Sequence, residues 1–204
     1  MKIKTKFFEI EIEILFLIVL FLCLFSFEVR CYLSSYFTCY MFIVFHEFSH
    51  MLMASLFGKR VECFKFTISG VNISFVKEKY TLKEKDNHSF QNLCIYSAGP
   101  LSNIFLALLF KEIPLVFDIN LALAVINLFP IDPLDGFHIV ENVLLLLKVK
   151  KYRIWTLKIE SFFLIFLFLM GIIMFVKFFN FVILFFAIYL FFLKYVKNQC
   201  LKMV

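Results

Sequence analysis

"FHEFSHMLMA", Phe45 to Ala54, sets two histidines and a glutamate inside an apolar run long enough to cross a membrane. Ionisable groups are costly to place in lipid, so such a cluster marks a functional position by default. On a helix, the four-residue spacing of His46 and His50 puts both imidazoles on one face, one turn apart. Two nitrogens so placed can bind one Zn²⁺. Glu47, beside them, can hold a water as general base, which is the logic of HExxH. The plainer reading is a pair of hydrogen-bonded histidines packed in a polar seam between helices. Glu47 would then need a partner, and no basic residue lies elsewhere in that span.

The surrounding chain has the composition of a membrane protein. Of its 204 residues 63% are hydrophobic, and 32 are phenylalanine. The mean hydropathy is +0.93. A soluble fold of this length could not hide so much apolar surface, since ordinary domains are about 45–50% apolar. The phenylalanines read as lipid-facing and helix-packing surface rather than as a platform for nucleobases, so no nucleic-acid partner is expected. The six cysteines form no CxxC pair and most sit in or beside apolar spans, which argues against a disulfide framework or a Cys-based zinc site. Cys31 and Cys39 flank the first expected loop and are a candidate pair if it faces an oxidising space. The N-terminal stretch resembles a signal peptide, but Glu9, Glu11 and Glu13 interrupt it and no small-x-small cleavage site follows. It is read as an uncleaved span.

Six spans are expected, at about 10–28, 34–57, 90–110, 115–130, 159–177 and 178–197, each near the ~20 apolar residues a bilayer needs. Pro114 and Pro130 bracket the short fourth, and a tight turn at Lys177 to Asn180 separates the last two. With both termini in the cytoplasm, every Lys and Arg except Arg30, Lys111 and Lys177 lies inside, as the positive-inside rule asks. The expected fold is therefore an all-α, multi-pass integral membrane protein forming one domain over 1–204. His50 then sits about seven residues before the cytoplasmic end of its span, roughly 10 Å inside at 1.5 Å per residue.

Between spans, "ECFKFTISGVNISFV" alternates Phe64, Phe66 and Ile68 with Lys65, Thr67 and Ser69. Beyond Gly70, Val71, Ile73 and Phe75 alternate with Asn72 and Ser74. This period-two pattern predicts a membrane-associated β-hairpin over about 61–76. "KEKYTLKEKDNH" reads as a solvated linker carrying His88, and "FHIVENVLLLLKVKKYR" as an interfacial helix ending in a basic cluster.

A catalytic zinc needs a third protein ligand and one open position. "NLFPIDPLDGFH", Asn127 to His138, ends the fourth span at the same face and offers Asp132, Asp135 and His138. Pro130 and Pro133 impose irregular backbone, which at membrane depth is tolerated only where it lines a cavity or is covered by protein. A helix stop with turn-forming Asp and Gly is the bland alternative. The residues alone do not choose between Asp132 and Asp135.

HEFSH in a span, "SAGPLSN" (Ser97 to Asn103) in another, and "NLFPIDPLDG" occur in this order. Together they resemble the site-2 protease family, and within it the stage IV sporulation protein FB type, over roughly residues 10 to 197. The resemblance implies zinc held by His46, His50 and Asp135, water activated by Glu47, and Asn127 hydrogen-bonding substrate or the developing oxyanion. Gly99 and Pro100 would let the third span approach the histidine helix, while Asn103 has no assigned role. The implied activity is that of a zinc metalloendopeptidase cleaving a membrane-tethered protein, such as a pro-sigma or anti-sigma factor, near the cytoplasmic face. Regulatory membrane proteins would be further partners. Two departures stand out: Ser49 where the family has Gly or Ala, and Phe137 where a second Gly is common. No CBS or PDZ segment is read in the chain. The alternatives are a non-enzymatic metal-binding or transport protein of the membrane, and an inactive relative that only binds a partner.

Overall fold

The computed structural model describes residues 2–4, 9–14, 27–67, 70–75 and 82–202. Helix dominates: α1 (Phe27–Leu56), α2 (Leu82–Leu109), α3 (Pro114–Leu128), α4 (Asp135–Leu146), α5 (Tyr152–Phe178) and α6 (Val182–Lys202). Four short strands accompany them: β1 (Lys2–Lys4), β2 (Glu9–Ile12), β3 (Val61–Thr67) and β4 (Gly70–Phe75). Among the described residues, Tyr36–Leu56, His88–Leu109 and Tyr152–Phe178 are long and apolar enough to cross a membrane, which marks a membrane protein. Pro114–Leu128 and Val182–Val196 are shorter apolar helices. At 1.5 Å per residue, the 15 residues of α3 reach about 22 Å, short of a ~30 Å hydrocarbon core. The chain divides into two compact units, Met1–Val125 and Ile126–Val204.

In the first unit, the expected hairpin is part of a four-stranded sheet, ordered β1-β2-β3-β4. Phe64 pairs with Ile73, Phe66 with Val71, and Lys65 with Asn72. Apolar thus faces apolar across the ladder, as the period-two pattern requires. Gly70 is not the turn itself: it opens β4, paired with Thr67. Strand β2 pairs parallel to β3, Glu9 against Cys63 through Ile12 against Phe66. This corrects the expected first span, whose described start is strand. The remainder of 10–28 lies largely outside the described residues. Glu9, Glu11 and Glu13 alternating with Ile10 and Ile12 is itself a period-two signal, obscured by the apolar run that follows.

Two further expectations are corrected. Helix α2 begins at Leu82, so "LKEKDNH" is helical rather than linker. Lys and Glu are good helix formers, and a polar first part needs only solvent around it. Cys31 and Cys39 both lie in α1. Eight residues of helix separate them by about 12 Å, beyond the ~7 Å Cα limit for a disulfide. Cys39 is a free thiol.

The second unit is built on the α5–α6 hairpin. Leu164, Leu167, Ala187 and Leu190 bury together with Ile131. Phe179 takes the left-handed conformation that ends α5, and Asn180 Oδ1 accepts a hydrogen bond from the Val182 amide at 3.0 Å. The turn falls where "KFFN" placed it. A Cβ on Gly171 would lie 2.8 Å from Leu184 Cα, so glycine is what lets these backbones meet. Glu160 is 2% exposed, and its carboxylate accepts from Lys194 Nζ at 2.9 Å. Helix α4 stops at Leu146 rather than running on through the basic cluster, and Lys148 turns the chain with φ 53°. Phe162, Ile165, Phe185 and Phe192 project outward as surface for lipid chains.

Candidate metal centre

The first unit brings His46 and His50 together on α1, with ring centroids 4.7 Å apart. They are only 4% and 7% exposed, so every ring nitrogen needs a partner. His50 Nδ1 lies 2.6 Å from the carbonyl oxygen of Ile95 on α2. A carbonyl can only accept, so Nδ1 carries the proton and, in the neutral ring, Nε2 presents a lone pair. His46 Nδ1 makes a short hydrogen bond to Asn103 Oδ1, again an acceptor. Its Nε2 is likewise left as a lone pair, and the two Nε2 atoms stand 3.1 Å apart. The two lone pairs thus converge on one buried point, where a single cation can accept both. The donor set is therefore suited to a divalent metal that accepts imidazole nitrogen, zinc foremost. Each imidazole also has the acceptor on its far nitrogen that metal-binding histidines generally have.

The floor of this site is α2. A Cβ on Gly99 would fall 2.6 Å from both Cε1 and Nε2 of His46, and would also meet His50 Nε2. Only glycine lets α2 pass under the two rings. Gly99→Ala is expected to lower zinc affinity by about tenfold or more, the scale of other errors in ligand placement. Zinc competition against a chromophoric chelator would measure it, and native affinity in the variant would contradict the geometry. Pro100 is buried beside it. Ser49 folds its hydroxyl back to the Phe45 carbonyl at 2.8 Å, so it stays in its own helix.

Asn103 and Asn120 are both fully buried. Asn103 Nδ2 donates to Asn120 Oδ1 at 2.9 Å, and Asn120 Nδ2 donates to Val116 O at 2.9 Å. Neither the motifs nor their spacing assign a role to Asn103 or Asn120. The signal was present: an amide in the otherwise apolar "VFDINLALAVINL" needs a partner on another helix.

Glu47 follows His46 on α1 and is half-buried. Asn127 and Asp135 belong to the second unit. Asn127 lies in the last turn of α3, and Asp135 is the first residue of α4. An acid is favoured there by the helix dipole. The intervening segment is shaped by Pro130, Pro133 and a cis Asp132–Pro133 bond. A Cβ on Gly136 would collide with the carbonyl oxygens of Leu128 and Phe129, so "LDG" requires its glycine. Asp132 lines a cleft of about 250 Å³ with Pro133, Leu193, Lys194 and Val196. His138 stacks edge-on with Phe137. His88, expected at the surface, is half-buried with Nδ1 2.8 Å from Gln91 Oε1.

No family model matches the chain, and no curated protein matches it. Among solved structures it is similar to the Site-2 Protease from Methanocaldococcus jannaschii, at a TM-score of 0.53 and 21% identity. The match covers 94% of this chain and 92% of that one. At that identity the likeness is one of fold.

Proposed function

We propose that this chain is an intramembrane zinc endopeptidase of the site-2 protease type. The observation that carries the reading is the buried HExxH pair, with both Nε2 lone pairs turned over Gly99, in a chain whose fold resembles such a protease. We assign His46, His50 and Asp135 as ligands of one Zn²⁺. Asp135 is preferred to Asp132 because it holds the family's "LDG" position and begins a helix, whereas Asp132 lines the cleft beside Lys194. When bound, zinc lowers the pKa of a coordinated water toward about 7 and polarises a carbonyl oxygen.

The remaining steps belong to the chain. Glu47 takes the proton as water attacks the scissile carbonyl and returns it to the leaving amine. The Asn127 amide donates a hydrogen bond to the oxygen that gains charge. A helical substrate hides its carbonyls in hydrogen bonds, so the scissile segment must be extended first. Strand β4 ends the sheet, and an extended substrate can add to such an edge. Asn72→Pro, which removes a backbone donor in β4, is expected to cut cleavage severalfold while zinc content stays unchanged. Equal loss of zinc would mean that the substitution had merely unfolded the site.

By the same resemblance of motifs the substrate is a membrane-tethered pro-sigma or anti-sigma factor, as in the sporulation type, and both termini are cytoplasmic. Co-expression with a tagged, membrane-tethered pro-transcription factor tests the function. Release of a shorter tagged product, lost when zinc is chelated, is expected. Zinc uptake into vesicles without cleavage would favour the carrier instead.

A further inference from the structure

We propose that Asn103 and Asn120 form a directional relay that fixes which nitrogen of His46 faces the metal. Asn103 and Asn120 are therefore positioning residues, and the inference rests on the zinc reading above. The direction follows from the far end of the chain. Val116 O can only accept, so the Asn120 group facing it at 2.9 Å is the NH₂. That leaves Asn120 Oδ1 to face Asn103, where it accepts from Asn103 Nδ2 at 2.9 Å. Asn103 must then turn its Oδ1 to His46, and an amide oxygen accepts only from a protonated Nδ1. Each amide would lose its partner if flipped, and both are fully buried, so no water stands ready to replace one. One helix carbonyl on α3 thereby sets the tautomer of an imidazole on α1, through one side chain on α2 and one on α3.

The comparison with His50 shows why the relay is needed. Its Nδ1 meets a backbone carbonyl directly, which has no second orientation. An amide does have one, and an unanchored Asn103 could present its NH₂ to His46 and favour the tautomer with a protonated Nε2. That tautomer cannot bind a metal through Nε2.

The test uses the full-length chain in detergent, with ¹⁵N-labelled histidine and Co²⁺ or Zn²⁺ as the probe. In the metal-free native protein, the ring ¹⁵N shifts of His46, identified by their loss in His46→Gln, are expected to show a protonated Nδ1. Asn103→Leu is expected to lose that signature and weaken Zn²⁺ binding by about 10–100-fold, the usual cost of removing an outer partner of a metal-binding histidine. Asn103→Asp keeps an acceptor for His46 but has no donor for Asn120 Oδ1, so it is expected to keep the protonated Nδ1 of His46 while losing part of the Zn²⁺ affinity. Asn120→Leu frees the Asn103 amide and should yield a mixture of His46 tautomers. A bare Nδ1 in the native protein or in Asn103→Asp, or a protonated Nδ1 kept in full by Asn103→Leu, would overturn the relay. A protonated Nδ1 in a native chain that binds neither metal would support the relay's direction and sink the zinc reading instead.

Discussion

Glu47→Gln is expected to lower cleavage of a membrane-tethered substrate by about 10²–10⁴-fold, the contribution of a positioned general base, while the protein still holds one zinc per chain. Glutamine keeps the size and polarity of the side chain but has no basic oxygen. Since Glu47 is half-buried beside the buried His46, a near-isosteric change leaves the packing of α1 intact. His46 and His50 keep their hydrogen bonds to Asn103 and Ile95. The split between lost turnover and retained metal is what separates a base from a ligand. Metal analysis of the purified variant beside the co-expression assay measures both, and appreciable cleavage by the glutamine protein would end the assignment.

The second large effect is expected from Asp135. Asp135→Ala should lose zinc and cleavage together, with an affinity drop exceeding the 10–100-fold that follows removal of an outer-shell partner. Asp132→Ala should leave zinc content near one per chain. The pair decides a choice that the residues alone left open, because both acids lie within a few positions in the same proline-bracketed segment. If Asp132→Ala empties the site and Asp135→Ala does not, the ligand set proposed here is wrong.

Much of the architecture was legible because the relevant forces are local. His46 and His50 share a face because a helix repeats every 3.6 residues, and the apolar runs declare α1, α2 and α5 by length. The turn at Asn180 and the ladder of β3 with β4 follow from short-range chemistry in the same way. What sequence did not give was long-range. Strand β2 pairs in parallel with β3 across some fifty residues, and nothing within Glu9–Ile12 names its partner. The same holds for the acceptors behind the histidines. Ile95 contributes a backbone carbonyl, which any residue type could supply. Asn103 and Asn120 act only through which helices meet, although an amide in an apolar helix does announce that it needs a partner. Gly99 was legible as a point of close approach, but not that the atoms approached are the ring atoms of His46 and His50.

The Glu160–Lys194 contact also bears on how the chain is made. Lys194 enters with α6, more than thirty residues after Glu160 has been synthesised on α5. Until then the carboxyl lacks the cation that it meets in the folded chain, and a charge in an apolar helix is costly, by roughly 2.5–3.5 kcal/mol at a helix centre on insertion scales and by less toward the ends. Together the two side chains are neutral, and the tight turn at Phe179 holds their helices side by side. The α5–α6 hairpin is thus electrically closed only once α6 has been made, so the pair of helices rather than α5 alone is the unit without an uncompensated charge at this contact.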